Sequence, residues 1–374
     1  MSGSEAPSFE TLTRPCVRSV TPYLPGKPIA EVQRELGIRR VIKLASNENP
    51  LGPSPKAVAA ARRALRQTHL YPEGASPLLR RALARELGIL EYQVLIGNGS
   101  DEIIRLLCEA FLSPEDEAVV SQRGFIRFKQ QSLLMGARVI EVPMRDWTHD
   151  LEAMARSVGP KTKLMFVASP NNPTGTYNTR DQVKRFLESV PSSVLVVLDE
   201  AYCHYAACRS DYPDSVREFF PGRRNLAILR TFSKAYGLAG LRVGYGIADA
   251  ELVGWLDRIR MPFNVNLVGQ WAALAAVEDR VFLRRSVAAN RRGGRSLSTQ
   301  LRRLGLQPGD SGTNFLFLRS PIPGNRLFQE LLRSGVIVRP LDEYGLTHHV
   351  RISIGTPAQN GLLVSALKKA LTLS

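Results

Sequence analysis

The chain has 374 residues, 44% hydrophobic and 22% charged, proportions that exclude a disordered tail or a collagen-like repeat. Its 50 basic residues (40 Arg, 10 Lys) outnumber 34 acidic ones, a net charge of +16, yet they lie in ones and twos, as at Arg39–Arg40 and Arg302–Arg303. That dispersal argues for a solvated Arg-rich surface and against a nucleic-acid-binding arm.

In chain order, a polar irregular start over 1–20 precedes a short helix near 28–37 that ends at Gly37. A strand and a Pro/Gly-rich loop follow over 42–55, then helices over 56–66 and 78–87, with the turn-rich YPEGASP (71–77) between them. From there strands and helices alternate. VLIG (94–97), AVVS (118–121), RVIEV (138–142), LMFVAS (164–169), VLVVLD (194–199), LAILRTFS (226–233) and RVGYGI (242–247) read as strands, and 101–111 as a helix. Several are unbroken apolar runs, the pattern of strands covered on both faces, so the order predicts an α/β protein with a mostly parallel sheet. After about residue 250 the pattern changes. A helical stretch over 267–304, interrupted at Gly293–Gly294, leads to a strand over 313–319, a helix over 325–334, short strands over 335–339 and 350–354, and a closing helix over 358–371, which together predict a smaller α+β domain.

The four cysteines, Cys16, Cys108, Cys203 and Cys208, form no C-x-x-C pair and are too few for a disulfide scaffold. Cys203, His204 and Cys208 match no zinc spacing, and inert buried thiols are the expectation. No apolar leader opens the sequence and VLVVL is far too short to span a bilayer, so a reduced cytoplasmic setting without membrane attachment is expected.

In an open parallel sheet, ligands bind beyond the carboxyl ends of the strands. VLIGNGSDE ends a strand with two glycines before a helix start, an arrangement that suits an anion and also an ordinary βα turn. In SPNNPTG, Asn172 either belongs to a rigid turn or turns its amide into the crevice. In VLVVLDEAY, Asp199 either caps a helix or meets a cation, because a buried carboxylate needs a partner. RTFSKAYGLAGLRVGY carries Lys234 among hydroxyls and glycines, with Arg242 eight residues on. Together these residues supply an amine, a carboxylate and a phosphate cup at successive strand ends. That is the set that holds pyridoxal phosphate: an amine for the aldehyde, an anion for the pyridinium nitrogen and donors for the phosphate.

With NENPLGPSP, YPEGAS, GNGSDE, SPNNPTG, LDEAY, RTFSKAYGLAGLRVGY and PFNVN in this order, the sequence resembles the fold-type-I aminotransferases, and more closely the histidinol-phosphate aminotransferases, over nearly its whole length. The resemblance implies the aspartate aminotransferase-like fold, with an N-terminal segment (1–48) belonging to the small domain, a large cofactor-binding domain (49–266) and a small C-terminal domain (267–374). By the same resemblance, Lys234 bonds the cofactor aldehyde and moves the proton at the substrate's α-carbon, Asp199 pairs with the pyridinium N–H, and Asn172 and Tyr202 bond its phenolic oxygen. Phe125 stacks on the ring. The phosphate meets Ser100, Asp101 and Glu102 at the helix start, Thr231, Ser233 and Arg242. Tyr71 reaches a neighbour's phosphate across a homodimer with shared sites. Arg339 and Arg351 hold the anionic end of the substrate, and Tyr23 and Asn47 lie beside it. The implied reaction moves an amino group between L-glutamate and histidinol phosphate, in histidine biosynthesis. An aromatic amino-acid aminotransferase, or an amino-acid-phosphate decarboxylase, would share every cofactor landmark. A transcription regulator of this fold would need a separate DNA-binding module, and no helix-turn-helix is legible. Two positions depart from the family pattern: Arg123 and Phe128 stand where relatives often carry Tyr or Pro and Tyr. An Arg123 facing the pocket predicts a larger or more anionic acceptor, and the sequence leaves the roles of Arg123 and Arg127 open.

Overall fold

A computed structural model describes residues 8–22 and 26–372. Seven strands build the main sheet: β1 (Val94–Gly97), β2 (Glu117–Ser121), β3 (Arg138–Val142), β4 (Thr162–Ala168), β5 (Leu195–Asp199), β6 (Leu226–Thr231) and β7 (Gly244–Ile247). Their order across the sheet is β1-β7-β6-β5-β4-β2-β3. Only β7 runs antiparallel to its neighbours, and the other pairings are parallel. The apolar runs of the central strands are buried on both faces. Side chains alternate across a pleated strand, so Val196 and Leu198 of β5 join one core while Leu195 and Val197 join the other. Helices Pro55–Ala64, Pro77–Leu87, Arg180–Ser189 and Leu267–Glu278 cover the first face; Ser100–Phe111, Ile126–Leu134 and Ala250–Ile259 cover the second.

A smaller sheet of β8 (Phe315–Arg319), β9 (Arg339–Leu341) and β10 (Leu346–Ser353) has the order β8-β10-β9, all antiparallel. The segment expected as one strand over 335–339 serves two sheets. Val336–Ile337 pairs in parallel with Ile42–Lys43, and the chain then enters β9. Leu44 packs in the same core as Leu297, Leu316 and Ile352, so the start of the chain returns to its end.

The expected break at Gly293–Gly294 is absent. The helical stretch divides at Asp279, which caps the second helix by accepting from the Phe282 N–H, and Arg280–Arg303 runs unbroken through both glycines. Their role is steric: a Cβ at Gly293 or Gly294 would come within 2.9 or 3.0 Å of Ile354. The glycines let the helix lie against the end of β10.

The thiols also differ from expectation. Cys108 and Cys203 are buried, with burial pushing each up to about 12, but Cys208 is exposed and Cys16 half-buried. Among the described residues there is no metal-ligating cluster, and no helix is long and apolar enough to cross a membrane.

Candidate active site

The carboxyl ends of β1, β4, β5 and β6 converge on a cavity of about 240 Å³, which the loops after these strands line. Ten of the residues singled out in the sequence line it: Ser100, Asp101, Phe125, Asn172, Asp199, Tyr202, Thr231, Ser233, Lys234 and Arg242.

One end is an anion cup. The helix Ser100–Phe111 begins there after Gly99, whose φ of +75° lies in the region that favours glycine. A Cβ at Gly99 would stand 2.8 Å from Arg242 Nη2, and one at Gly244 would stand 2.2 Å from the Ser100 nitrogen. Glycine at both positions therefore lets β7 and the guanidinium close on the helix N-terminus, where backbone dipoles favour negative charge. Thr231 Oγ1 donates to Ser233 Oγ at 3.0 Å, and Arg242 Nη1 reaches the same Oγ at 3.5 Å and the Ala239 carbonyl at 3.2 Å. Asp101 accepts from Arg127 Nε at 3.1 Å, while Glu102 accepts from the Asn98 N–H and from Asn264 Nδ2, both at 2.6 Å. Arg127 thus braces the helix start, with its Nη1 donating to Gln130 at 2.9 Å.

Asp199 is buried at the end of β5, and the Ala201 N–H donates to its Oδ1 at 3.0 Å. Burial, reinforced by Asp101 and Glu200, pushes its carboxyl up to about 7, while Lys234 opposes the shift. Glu200 points elsewhere: it forms a buried ion pair with Arg230 at 2.7 Å. This pair was not foreseen from the sequence. Its signal was an acid directly after Asp199 and a base directly before Thr231, on neighbouring parallel strands.

Lys234 Nζ lies 5.6 Å from the Tyr202 ring centroid, and the Tyr202 hydroxyl accepts from Asn47 Nδ2 at 2.9 Å. Asn47 has a φ of +56°, a region Asn tolerates better than most residues, and its backbone is held by Ser353 and Asn314 from the small core. Ser46 and Glu48, its neighbours, line the cavity, whereas Asn47 reaches its wall through Tyr202. The sequence singled out only Asn47 of the three, although Ser46 precedes it directly and Glu48 follows it in the same motif.

Asn172 and Arg351 meet. Arg351 Nη1 donates to Asn172 Oδ1, and Nη2 donates to the Ala45 carbonyl at 2.6 Å. Arg351 Nε is buried without a hydrogen-bond partner among the described residues. Arg339 stands opposite Arg351 in the β9–β10 register and pairs with Glu343 at 2.7 Å. Phe125 packs edge-on against Phe128, which is itself stacked on Phe166 in the core and so does not face the cavity. The Arg123 guanidinium lies over the Trp147 ring, 5.8 Å from its centroid, and Arg123 is not among the residues that line the cavity. Tyr71 is 83% exposed and stacks on Phe263, outside the cavity of this chain. Tyr23 lies outside the described residues.

The donor set suits a small aromatic cation that carries a phosphate: a cup for the anion, a buried carboxyl of raised pKa that a ring N–H would relieve, and an amine in the same cavity. Fold and site together define a fold-type-I, aspartate aminotransferase-like enzyme. The chain belongs to the aminotransferase class I and II family, whose model matches residues 39–367. It is similar to a histidinol-phosphate aminotransferase of Moorella thermoacetica, 48% identical over 358 residues that cover 96% of this chain and 92% of the relative. It is 42% identical to histidinol-phosphate aminotransferase 2 of Carboxydothermus hydrogenoformans, over 97% of this chain and all of that one (100%). Among solved structures, the histidinol-phosphate aminotransferase of Sinorhizobium meliloti in complex with pyridoxal-5'-phosphate superposes with a TM-score of 0.87 at 29% identity, covering 97% of this chain and 98% of that one.

Proposed function

We propose that the protein binds pyridoxal phosphate in the 240 Å³ cavity and transfers an amino group between the L-glutamate/2-oxoglutarate pair and the histidinol phosphate/imidazole-acetol phosphate pair, a step of histidine biosynthesis. The observation that carries the reading is the gathering of Lys234, Asp199 and the Thr231–Ser233–Arg242 cup around one cavity, with Arg351 tied to Asn172 at its edge.

Bound pyridoxal phosphate supplies an electron sink for the carbanion formed at the substrate's α-carbon. The chain's own residues do the rest. Arg242, Ser233, Thr231 and the helix start at Ser100–Glu102 hold the phosphate. Asp199 keeps its charge against the ring N–H, Asn172 Nδ2 and the Tyr202 hydroxyl orient the ring, and Phe125 flanks it. Lys234 would hold the cofactor through its aldehyde and would carry the proton at the substrate's α-carbon. Arg351, with Arg339, holds the anionic end of the substrate. A guanidinium fork accepts a carboxylate or a phosphate ester with the same geometry, so one pocket serves both halves of the reaction.

The boundary expected at 267 falls too early, because helix Leu267–Glu278 packs in the core of the main sheet, but the joining of the N-terminal segment (1–48) to the C-terminal small domain belongs to this reading. The pairing of Ile42–Lys43 with Val336–Ile337 supports it. So does the homodimer, supported by the exposed Tyr71–Phe263 stack, and a cytoplasmic setting, supported by four free thiols. The test supplies L-glutamate with imidazole-acetol phosphate or with phenylpyruvate and compares kcat/KM for the cofactor-loaded enzyme. We expect imidazole-acetol phosphate to win and Lys234→Ala to abolish both activities. A preference for phenylpyruvate would make the protein an aromatic amino-acid aminotransferase.

A further inference from the structure

Outside the cavity, a short hairpin joins the two sheets. Met144–Arg145 pairs with Thr148–His149, and the turn residues Asp146 and Trp147 have φ of +48° and +64°. Such two-residue turns favour Asp or Asn followed by Gly, so a tryptophan at the second position is held against its backbone preference. The root of the hairpin is rigid. His149 is buried and bonds Ser121 Oγ at the end of β2 (2.5 Å) and the Ala168 carbonyl at the end of β4 (2.8 Å). Thr176, in the loop that carries Asn172, donates to the Trp147 carbonyl at 2.6 Å.

The tip touches the other sheet. The Trp147 ring, 38% exposed as a residue, packs 5.0 Å from Phe317 on β8 and 5.2 Å from His349 on β10, and those two rings are parallel at 4.8 Å. Phe317 stands opposite Arg351 in the strand register, and His349 lies two residues before Arg351. All three therefore share one face of the small sheet. Arg123 completes the cluster, its guanidinium over the indole.

We propose that Trp147 is a positioning residue, a fixed stop on the large sheet that sets the small sheet's Arg351 in register with Asn172 and thereby determines the affinity for the anionic end of the substrate. The proposal rests on the reading of Arg351 as the group that holds that end. It accounts for a strained aromatic at a position where glycine would be at ease, and for the direction Arg123 takes.

Trp147→Gly tests it, because glycine relaxes the turn and removes only the ring. We expect KM for L-glutamate and 2-oxoglutarate to rise about tenfold, the scale of one aromatic stacking pair, with kcat changed less than about twofold. Trp147→Phe is expected to stay within about threefold of the native KM, and Phe317→Leu, which leaves the turn intact, to reproduce the loss. The binding of maleate, a dicarboxylate that cannot transaminate, measured calorimetrically on the cofactor-loaded protein, is expected to weaken by the same factor. An unchanged KM and maleate affinity in both Trp147→Gly and Phe317→Leu overturns the proposal, as does a fall in kcat at constant KM. Arg351→Ala separates the two readings. If it leaves maleate binding intact, the role given to Arg351 fails. If it weakens binding and the Trp147 and Phe317 variants do not, the positioning role alone fails.

Discussion

Asp199 is the residue on which the electrostatics of the site turn. Its carboxyl, near 4 in an unfolded chain, is pushed by burial to about 7 in the protein without cofactor. The folded state therefore binds more protons than the unfolded state between those values, and stability falls as pH rises through that window. Asp199→Asn removes the titration. The thermal midpoint of the cofactor-free variant is expected to gain on that of the native protein as pH goes from 5 to 8; a difference independent of pH would show that the carboxyl does not titrate there. The same variant leaves the ring N–H without its anion. Its affinity for pyridoxal phosphate, measured by equilibrium dialysis, is expected to drop by about 3–5 kcal/mol, the scale of a broken buried pair. At this scale the motifs singled out Lys234, Asp199, Asn172 and Arg242, and all four line the cavity, because each sits at a strand end where the local pattern is strong. They did not reveal that Glu200, one residue on, faces Arg230, because strand alternation sends adjacent side chains to opposite faces and the partner lies on another strand.

At the scale of elements, RVIEV was legible to the residue as β3, and the runs at β4, β5 and β6 to within two residues, because an unbroken apolar run between turn signals admits few alternatives. The helix 280–303 was misread at its glycine pair, since a local reading prices glycine only as a helix breaker. Replacing Gly293 by Ala improves helix propensity by about 0.5–1 kcal/mol, yet the new Cβ meets Ile354 at 2.9 Å. We expect a net loss of about 1 kcal/mol, read as a lower thermal midpoint. Gly254, exposed on Ala250–Ile259 with nothing within 4 Å of an added Cβ, is the counterpart. There, Gly254→Ala is expected to raise stability by about 0.5–1 kcal/mol. Equal effects at the two sites would contradict the packing argument.

For the whole molecule, the exposed apolar residues Leu70 (58%), Tyr71 (83%) and Met261 (69%) adjoin or belong to the two segments that the Tyr71–Phe263 stack brings together. Large apolar side chains left in water on neighbouring segments mark an interaction surface. Sedimentation is expected to give a dimer for the native chain and a monomer for the Leu70→Asp, Met261→Arg double variant, which should also retain less pyridoxal phosphate. A native monomer with full cofactor would argue against shared sites.

Local sequence alone determined the seven strands of the main sheet, the change of pattern after about residue 250 and the order of the residues that line the cavity, because apolar runs, glycines at strand ends and short motifs act within a few residues of chain. Only the tertiary structure decided which of them meet. Arg351 and Asn172 are 179 positions apart, Asn47 and Tyr202 are 155 apart, and Trp147 reaches β8 and β10 from the hairpin that follows β3. Contacts of that range depend on how one packed core is seated against another, and no periodicity along a single segment encodes it.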